Sequence, residues 1–250
     1  LASASPKRVT VEQSSLWLQR GWADLLAHPA IGLGYGSAFA AIGWLLTFGL
    51  AAMDMGSLIL PLGSGFMLVA PLAAVGLYEV SRRRELGQQV TLWQALSAVG
   101  RNGRGIADFG LLLMLLFCAW IELALVLFAL FYGSHPPSLE HFLGSVVLSG
   151  NGVPFLVLGT LVGGLMASVA FALSVVSMPM LLDRKVSVTT AVVCSVRAVW
   201  LNRRVLIGWA ATLVTLTFCG MAAFFVGLAL TLPVAAHASW HAYRDLVEKE

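Results

Sequence analysis

Every Lys and Arg of this chain lies outside its long apolar runs, and those runs come in pairs set apart by basic segments. Lys7, Arg8 and Arg20 precede the first run, and Arg82, Arg83, Arg84, Arg101 and Arg104 follow the second. Arg184, Lys185, Arg197, Arg203 and Arg204 follow the fourth, and Arg244 and Lys249 end the chain. Because Lys and Arg in short loops stay on the cytoplasmic side, this pattern predicts a multi-pass protein of inner-membrane type with both termini cytoplasmic. A water-soluble fold is excluded by bulk: 59% of residues are hydrophobic and 11% charged, against about 45–50% and about 25% in soluble domains. The net charge of +3 comes from basic segments at membrane edges, which predicts membrane lipids as partners and no nucleic acid.

A crossing helix needs about 20 apolar residues. Four segments meet that length: Ala30 to Ala52, Leu58 to Val80, Ile106 to Phe131 and Val153 to Leu182. Between the third and fourth, Gly133 to Gly152 holds His135, Pro136, Pro137, Glu140 and His141 but no Lys or Arg, and reads as the outer loop. Val205 to Trp240 is long for one crossing and short for two. Arg203 and Arg204 enter it and Arg244 leaves it, so an even number of passes is expected, either two short helices meeting near Cys219 and Gly220 or a re-entrant hairpin. The first thirty residues contain no signal-peptide pattern, so the membrane segments are expected to direct insertion.

Before the first, third and fifth crossings sit stretches with the character of amphipathic surface helices: Val11 to Ala27, Thr91 to Gly100 and Val188 to Asn202. Trp17, Trp22, Trp93 and Trp200 suit headgroup depth, and Thr91 and Thr189 or Thr190 suit N-caps. The inner segments resemble one another. Val9-Thr10 with Gln13 matches Val90-Thr91 with Gln94, and Ala98-Val99 with Asn102 and Arg104 matches Ala198-Val199 with Asn202 and Arg204. Pro71, Tyr78 and Arg82 recur at the same offsets as Pro233, Trp240 and Arg244. The predicted fold is therefore all-α, a single membrane domain over 1–250 with six crossings as three parallel hairpin repeats (9–84, 90–185, 186–246), each led by an interfacial helix. Glycines at 32, 34, 36, 159, 163 and 164 supply small faces for helix packing.

Few polar residues could carry chemistry. Glu122 falls inside the third crossing, where an ionised carboxylate costs roughly 3 kcal/mol. It predicts a transport relay, a hydrogen bond to Ser168 or Ser174, or contact with a partner subunit. His237 and His241 share a helix face, with His28 at similar depth, a pattern that raises haem or metal ligation. All three lie at the inner boundary rather than inside the bilayer, so no metal and no cofactor is expected. Cys118, Cys194 and Cys219 lack pairing or ligand spacing. Nucleophile motifs, phosphate loops and dinucleotide fingerprints are absent from the sequence, and no enzyme activity or catalytic residue is expected.

The ending His237-Ala238-Ser239-Trp240-His241-Ala242-Tyr243-Arg244-Asp245-Leu246, after Leu232-Pro233-Val234, resembles that of a bacterial integral-membrane family catalogued as domain of unknown function 2189. Gly21-Trp22-Ala23-Asp24-Leu25, His28-Pro29 and Gly76-Leu77-Tyr78-Glu79 extend the likeness. The resemblance implies a six-helix protein of the bacterial cytoplasmic (inner) membrane and carries over no catalytic residue. Trp240 and Tyr243 are expected in the interfacial belt. Arg244 and Asp245 are expected to reach the segment around His28, forming an inner-rim cluster of His28, His237, His241, Trp240 and Arg244. The function expected is a non-catalytic accessory or assembly subunit packed against other integral-membrane subunits of a larger respiratory or photosynthetic complex. The alternative is a small-solute or ion transporter or channel using Glu122.

Overall fold

In a computed structural model, residues 5–133 and 152–248 are described. The expected outer loop, with His135 and His141, and the terminal Lys249 lie outside them. Every regular element among the described residues is helical, apart from an isolated bridge between Pro6 and Val247.

The first surface helix, α1 (Val11–Ala27), leads at His28 into α2 (Pro29–Ala52). A short turn follows, and α3 (Ile59–Ala73) and α4 (Val75–Glu85) return as one rod broken at Ala74, three residues past Pro71. Pro71 removes a backbone donor and crowds the preceding turn, which explains a break at that point. The second surface segment is α5 (Leu92–Leu96) with tight turns over Ser97–Asn102, leading into α6 (Gly103–Tyr132). Next come α7 (Gly152–Ser174) and α8 (Ser177–Asp183), then the third surface helix, α9 (Val188–Leu201). Finally α10 (Arg203–Ala222) and α11 (Leu228–Leu246) form a hairpin. Among the described residues, five rods are long and apolar enough to cross a membrane: Pro29–Ala52, Ile59–Glu85, Leu92–Tyr132, Gly152–Asp183 and Arg203–Ala222. The 19 residues of α11 could span about 28 Å, but His237, His241, Arg244 and Asp245 make its second half polar.

The three surface segments start and stop alike. Each follows an extended hydroxyl residue: Thr10 (φ −102°, ψ 166°), Thr91 (−105°, 158°) and Ser187 (−74°, 155°). Gln13 Oε1 accepts from the Thr10 N–H at 2.8 Å, and Gln94 Oε1 from that of Thr91 at 3.0 Å. The third cap is Ser187, which accepts from the Thr190 N–H, so neither Thr189 nor Thr190 is the cap. Each segment then kinks into a crossing at one residue: His28 (−134°, 57°), Asn102 (−138°, 57°) and Asn202 (−117°, 29°). The two asparagines tie down the entry to another surface helix. Asn102 Nδ2 donates to the Leu181 carbonyl in α8 at 3.1 Å and to the Val186 carbonyl, just ahead of α9, at 3.5 Å. Asn202 donates to the Lys7 carbonyl at 2.7 Å and accepts from the Val9 N–H at 2.9 Å, just ahead of α1.

Packing follows the same rotation. Each returning helix lies on the next surface segment: α4 on α5 and its following turns, α8 on α9, and α11 on α1. In the apolar half, α3 packs on α6 and α11 packs on α2. The glycines explain how closely these pairs approach. A Cβ on Gly36 would lie 2.5 Å from the Ala229 carbonyl oxygen, and one on Gly65 would lie 2.9 Å from Trp120. Trp120 also donates to the Pro61 carbonyl at 2.8 Å, stitching α6 to α3. The last hairpin turns at Ala223–Gly227 rather than at Cys219–Gly220, through Phe224 and Phe225 at φ 51° and 61°. Gly220 serves packing instead, since a side chain there would strike Thr231 and Leu228.

Candidate functional site

The most organised chemistry in the described residues is a polar network where the basic segments converge, with the second half of α11 as its hub. Seven of the ten residues from His237 to Leu246 are buried, including four that carry polar groups: His237, Ser239, Trp240 and Tyr243. Such groups need partners once water is excluded. The neighbouring helices supply one acid each: Asp24 from α1, Glu85 from α4 and Asp183 at the end of α8.

Asp24 is 3% exposed. Its Oδ2 lies 2.9 Å from His241 Nε2, and its Oδ1 is paired with Arg84. Trp240 donates its indole N–H to Glu85 at 3.2 Å, and Arg244 binds the same carboxylate at 3.1 Å. Arg244 and the Tyr243 hydroxyl both reach Asp183 Oδ2, at 3.2 and 2.9 Å. In return α11 gives Asp245 to α1, where it accepts from the Trp17 indole at 2.8 Å and from Arg20 at 3.3 Å. His237 Nδ1 lies 2.8 Å from Ser81 Oγ, while its Nε2 has no partner among the described residues. Beside this hub Glu79, 1% exposed, accepts from Arg82 at 3.0 Å and Arg83 at 2.7 Å, with Arg101 at 3.8 Å.

Several sequence expectations change here. Trp240 and Tyr243 are fully buried, not in an interfacial belt, because both hydrogen-bonding groups find carboxylates inside the protein. Trp17 is also buried, edge-on to Trp209 at 5.3 Å, whereas Trp22, Trp93 and Trp200 are exposed as headgroup-depth residues would be. Neither Arg244 nor Asp245 reaches the segment around His28 as expected: Asp245 bonds Trp17 and Arg20 further back on α1, Arg244 turns to α4 and α8, and it is His241 that meets Asp24. His28 caps α1 through its backbone N–H and takes no side-chain bond in the network. His237 and His241 point to different neighbours, and no group of three His, Cys, Asp or Glu side chains among the described residues is placed to hold a metal. Arg82, Arg83 and Arg84 are taken up by acids, whereas Arg197, Arg203 and Arg204 are exposed, as is Arg104 with Asp108 3.9 Å away. Glu122 is exposed on α6, and Ser168 bonds within its own helix, so the expected cross-bundle bond does not form.

Sequence reasoning passed over Asp24, Ser81, Glu79, Glu85 and Asp183. The spacing of Glu79 with Arg82 and Arg83, three and four residues on, was the one local signal available. The other partners lie 60 or more residues apart.

Among the described residues the network closes on itself except at His237 Nε2, and its contribution to stability depends on pH. Burial raises the Asp24 carboxyl, but hydrogen bonds from His241, Ser81 and Arg84 outweigh burial and hold it at about 2. A group held below its ordinary value contributes fully above that value and loses its contribution as pH falls toward the folded one. Thermal unfolding of detergent-purified protein should therefore separate wild type from Asp24→Asn at neutral pH, with the gap narrowing between about pH 4 and pH 2. A gap unchanged across that window would mean Asp24 is not charged in the fold.

A family model described as a predicted integral membrane protein, DUF2189, matches residues 59–183. No curated protein and no solved structure matches the chain.

Proposed function

The chain belongs to the DUF2189 family of predicted integral membrane proteins, and on that footing we propose that it is a non-catalytic accessory or assembly subunit. It packs against other integral-membrane subunits of a larger complex in the bacterial inner membrane, respiratory or photosynthetic. Both termini lie in the cytoplasm, and α11 makes a sixth crossing, completing three parallel hairpin repeats. Support for the repeats comes from the matched caps and kinks and from the shared rotation of packing. Support for the orientation comes from the basic residues gathered at one end.

The observation that carries the subunit reading is Glu122. It sits about 15 Å from the Tyr132 end of α6, exposed in a stripe with Leu111, Leu115, Cys118, Val126 and Leu130. No described residue engages it. A carboxylate facing hydrocarbon at that depth costs roughly 3 kcal/mol, a cost that a polar group on another subunit's helix relieves. Glu122 lines neither a cleft between α7 and α10 nor a cavity of about 70 Å³ between α2 and α3, which weighs against a conduction path through this chain's own interior. Native gels after mild extraction should place the protein in a larger species, and Glu122→Leu should release it as a folded, solitary protein. Solitary migration of the wild type would contradict the proposal.

A further inference from the structure

Of three seams related by the rotation of packing, two are closed, α3 on α6 and α11 on α2. The third, where α7 would meet α10, holds a cleft of about 420 Å³ backed by α3 and α11. The contrast is visible in the glycines: a Cβ on Gly36 or Gly65 at the closed seams would strike backbone or aromatic rings, whereas a Cβ on Gly164, which lines the cleft, would meet nothing within 4 Å. Ile207 and Val214 line the cleft and are 69% and 44% exposed, so it opens sideways where lipid chains would lie.

We infer that this cleft binds one neutral, single-chain lipid whose hydroxyl or carbonyl headgroup sits against Tyr78 and Ser174. The volume falls within the range of small-molecule sites, and no charged side chain among the described residues lines it, which disfavours an ionic headgroup. The walls are apolar, from Phe66, Met67, Phe171 and Leu232 among others. Two features point to a polar end. Tyr78 and Ser174 are 5% and 4% exposed and both line the cleft, yet no other described residue engages either hydroxyl. Thr217, Ser168 and Ser239, also in the lining, are by contrast satisfied by carbonyls of their own helices. Hydroxyls that open unpaired into an apolar cleft are disfavoured once water is excluded from it, unless a ligand supplies the partner. A bilayer chain fills the apolar volume, and a terminal hydroxyl or carbonyl meets both groups, each of which can donate or accept. The cleft shares no residue with the α6 stripe, so this site and the subunit contact are independent.

The probe is hexadecanol carrying a photoreactive diazirine near its methyl end, in phosphatidylcholine vesicles holding the full-length protein, with the matching hexadecane probe as control. Crosslinks from the alcohol should map to the cleft walls, Ile207 and Val214 among them, and unlabelled hexadecanol should compete. The double variant Tyr78→Phe with Ser174→Ala should weaken capture of the alcohol about tenfold, the effect of two lost neutral hydrogen bonds, and leave the hexadecane signal unchanged. Ala210→Trp, which fills the cleft, should abolish labelling by both probes. Should that variant misfold, the double variant, which removes hydroxyls without adding bulk, decides alone. Equal capture of alcohol and hexadecane, or no effect of the double variant, would overturn the inference and leave a gap filled by bulk lipid. A cleft that labels only after a partner protein is stripped away would overturn it in favour of a helix as occupant.

Discussion

Replacing Gly21 with Leu should collapse the yield of folded, extractable protein, while Gly34→Leu should be close to silent. At Gly21 a Cβ would stand 2.6 Å from the Ala238 nitrogen and 2.9 Å from its Cα. Backbone cannot rotate aside as a side chain can, so α1 and α11 would have to separate. Overpacking of a core by single methylenes costs about 1–3 kcal/mol, and Leu adds four carbons at a contact between main chains. The same separation pulls Asp24 from His241 and Asp245 from Trp17, because those bonds span the same pair of helices. Gly34 lies on the exposed side of α2 with nothing within 4 Å of a Cβ. Size-exclusion profiles and melting temperatures of the two variants in one detergent provide the comparison. Equal profiles would mean that α11 is not seated on α1.

The second large effect is expected at the rim. Asp24→Leu removes the buried carboxylate that faces both Arg84 and His241, leaving the half-exposed Arg84 guanidinium without its counter-charge and the partly buried His241 Nε2 without its partner. Breaking one side of a fully buried pair costs about 3–5 kcal/mol, and solvent screening of the half-exposed Arg84 places the loss here below that range, at about 1–3 kcal/mol. The loss should be largely undone when Arg84→Met and His241→Leu accompany Asp24→Leu, since the penalty comes from the orphaned partners rather than from a missing attraction. Melting temperatures of the single and triple variants test this. A triple variant as unstable as Asp24→Leu would show that the acid acts through something other than these two partners.

Much of this architecture is legible in the residues themselves. Val11 to Ala27 as a surface helix, the bounds of the first crossing and the kinks at His28 and Asn202 follow from apolar run length and from where charge stops. The rim was harder to read. An aromatic residue with a polar tip at the edge of an apolar run looks the same whether its indole or phenol meets a headgroup or a carboxylate of its own chain. Trp17, Trp240 and Tyr243 are cases of the latter, and Trp93 and Trp200 face outward. Asp24 is buried on the bundle side of α1 while Leu16, Trp22 and Leu26 face out, the reverse of what an isolated amphipathic helix suggests. The partner that pulls it inward, His241, lies 217 residues away. The turn of the last hairpin eluded the sequence because two phenylalanines, not glycines, take the left-handed conformation there.

On the proposed topology α11 returns across the membrane, so that Lys7 and Leu246, joined by a backbone hydrogen bond of 2.7 Å, lie at the basic rim. Cysteines placed one at a time at Gln88, Met53 and Glu248, in protein lacking Cys118, Cys194 and Cys219, can be labelled with a membrane-impermeant thiol reagent in sealed spheroplasts and in inverted vesicles. All three positions are exposed. Met53 should react in spheroplasts, and Gln88 and Glu248 together in inverted vesicles. Labelling of position 248 from the same side as Met53 would rule out a sixth crossing.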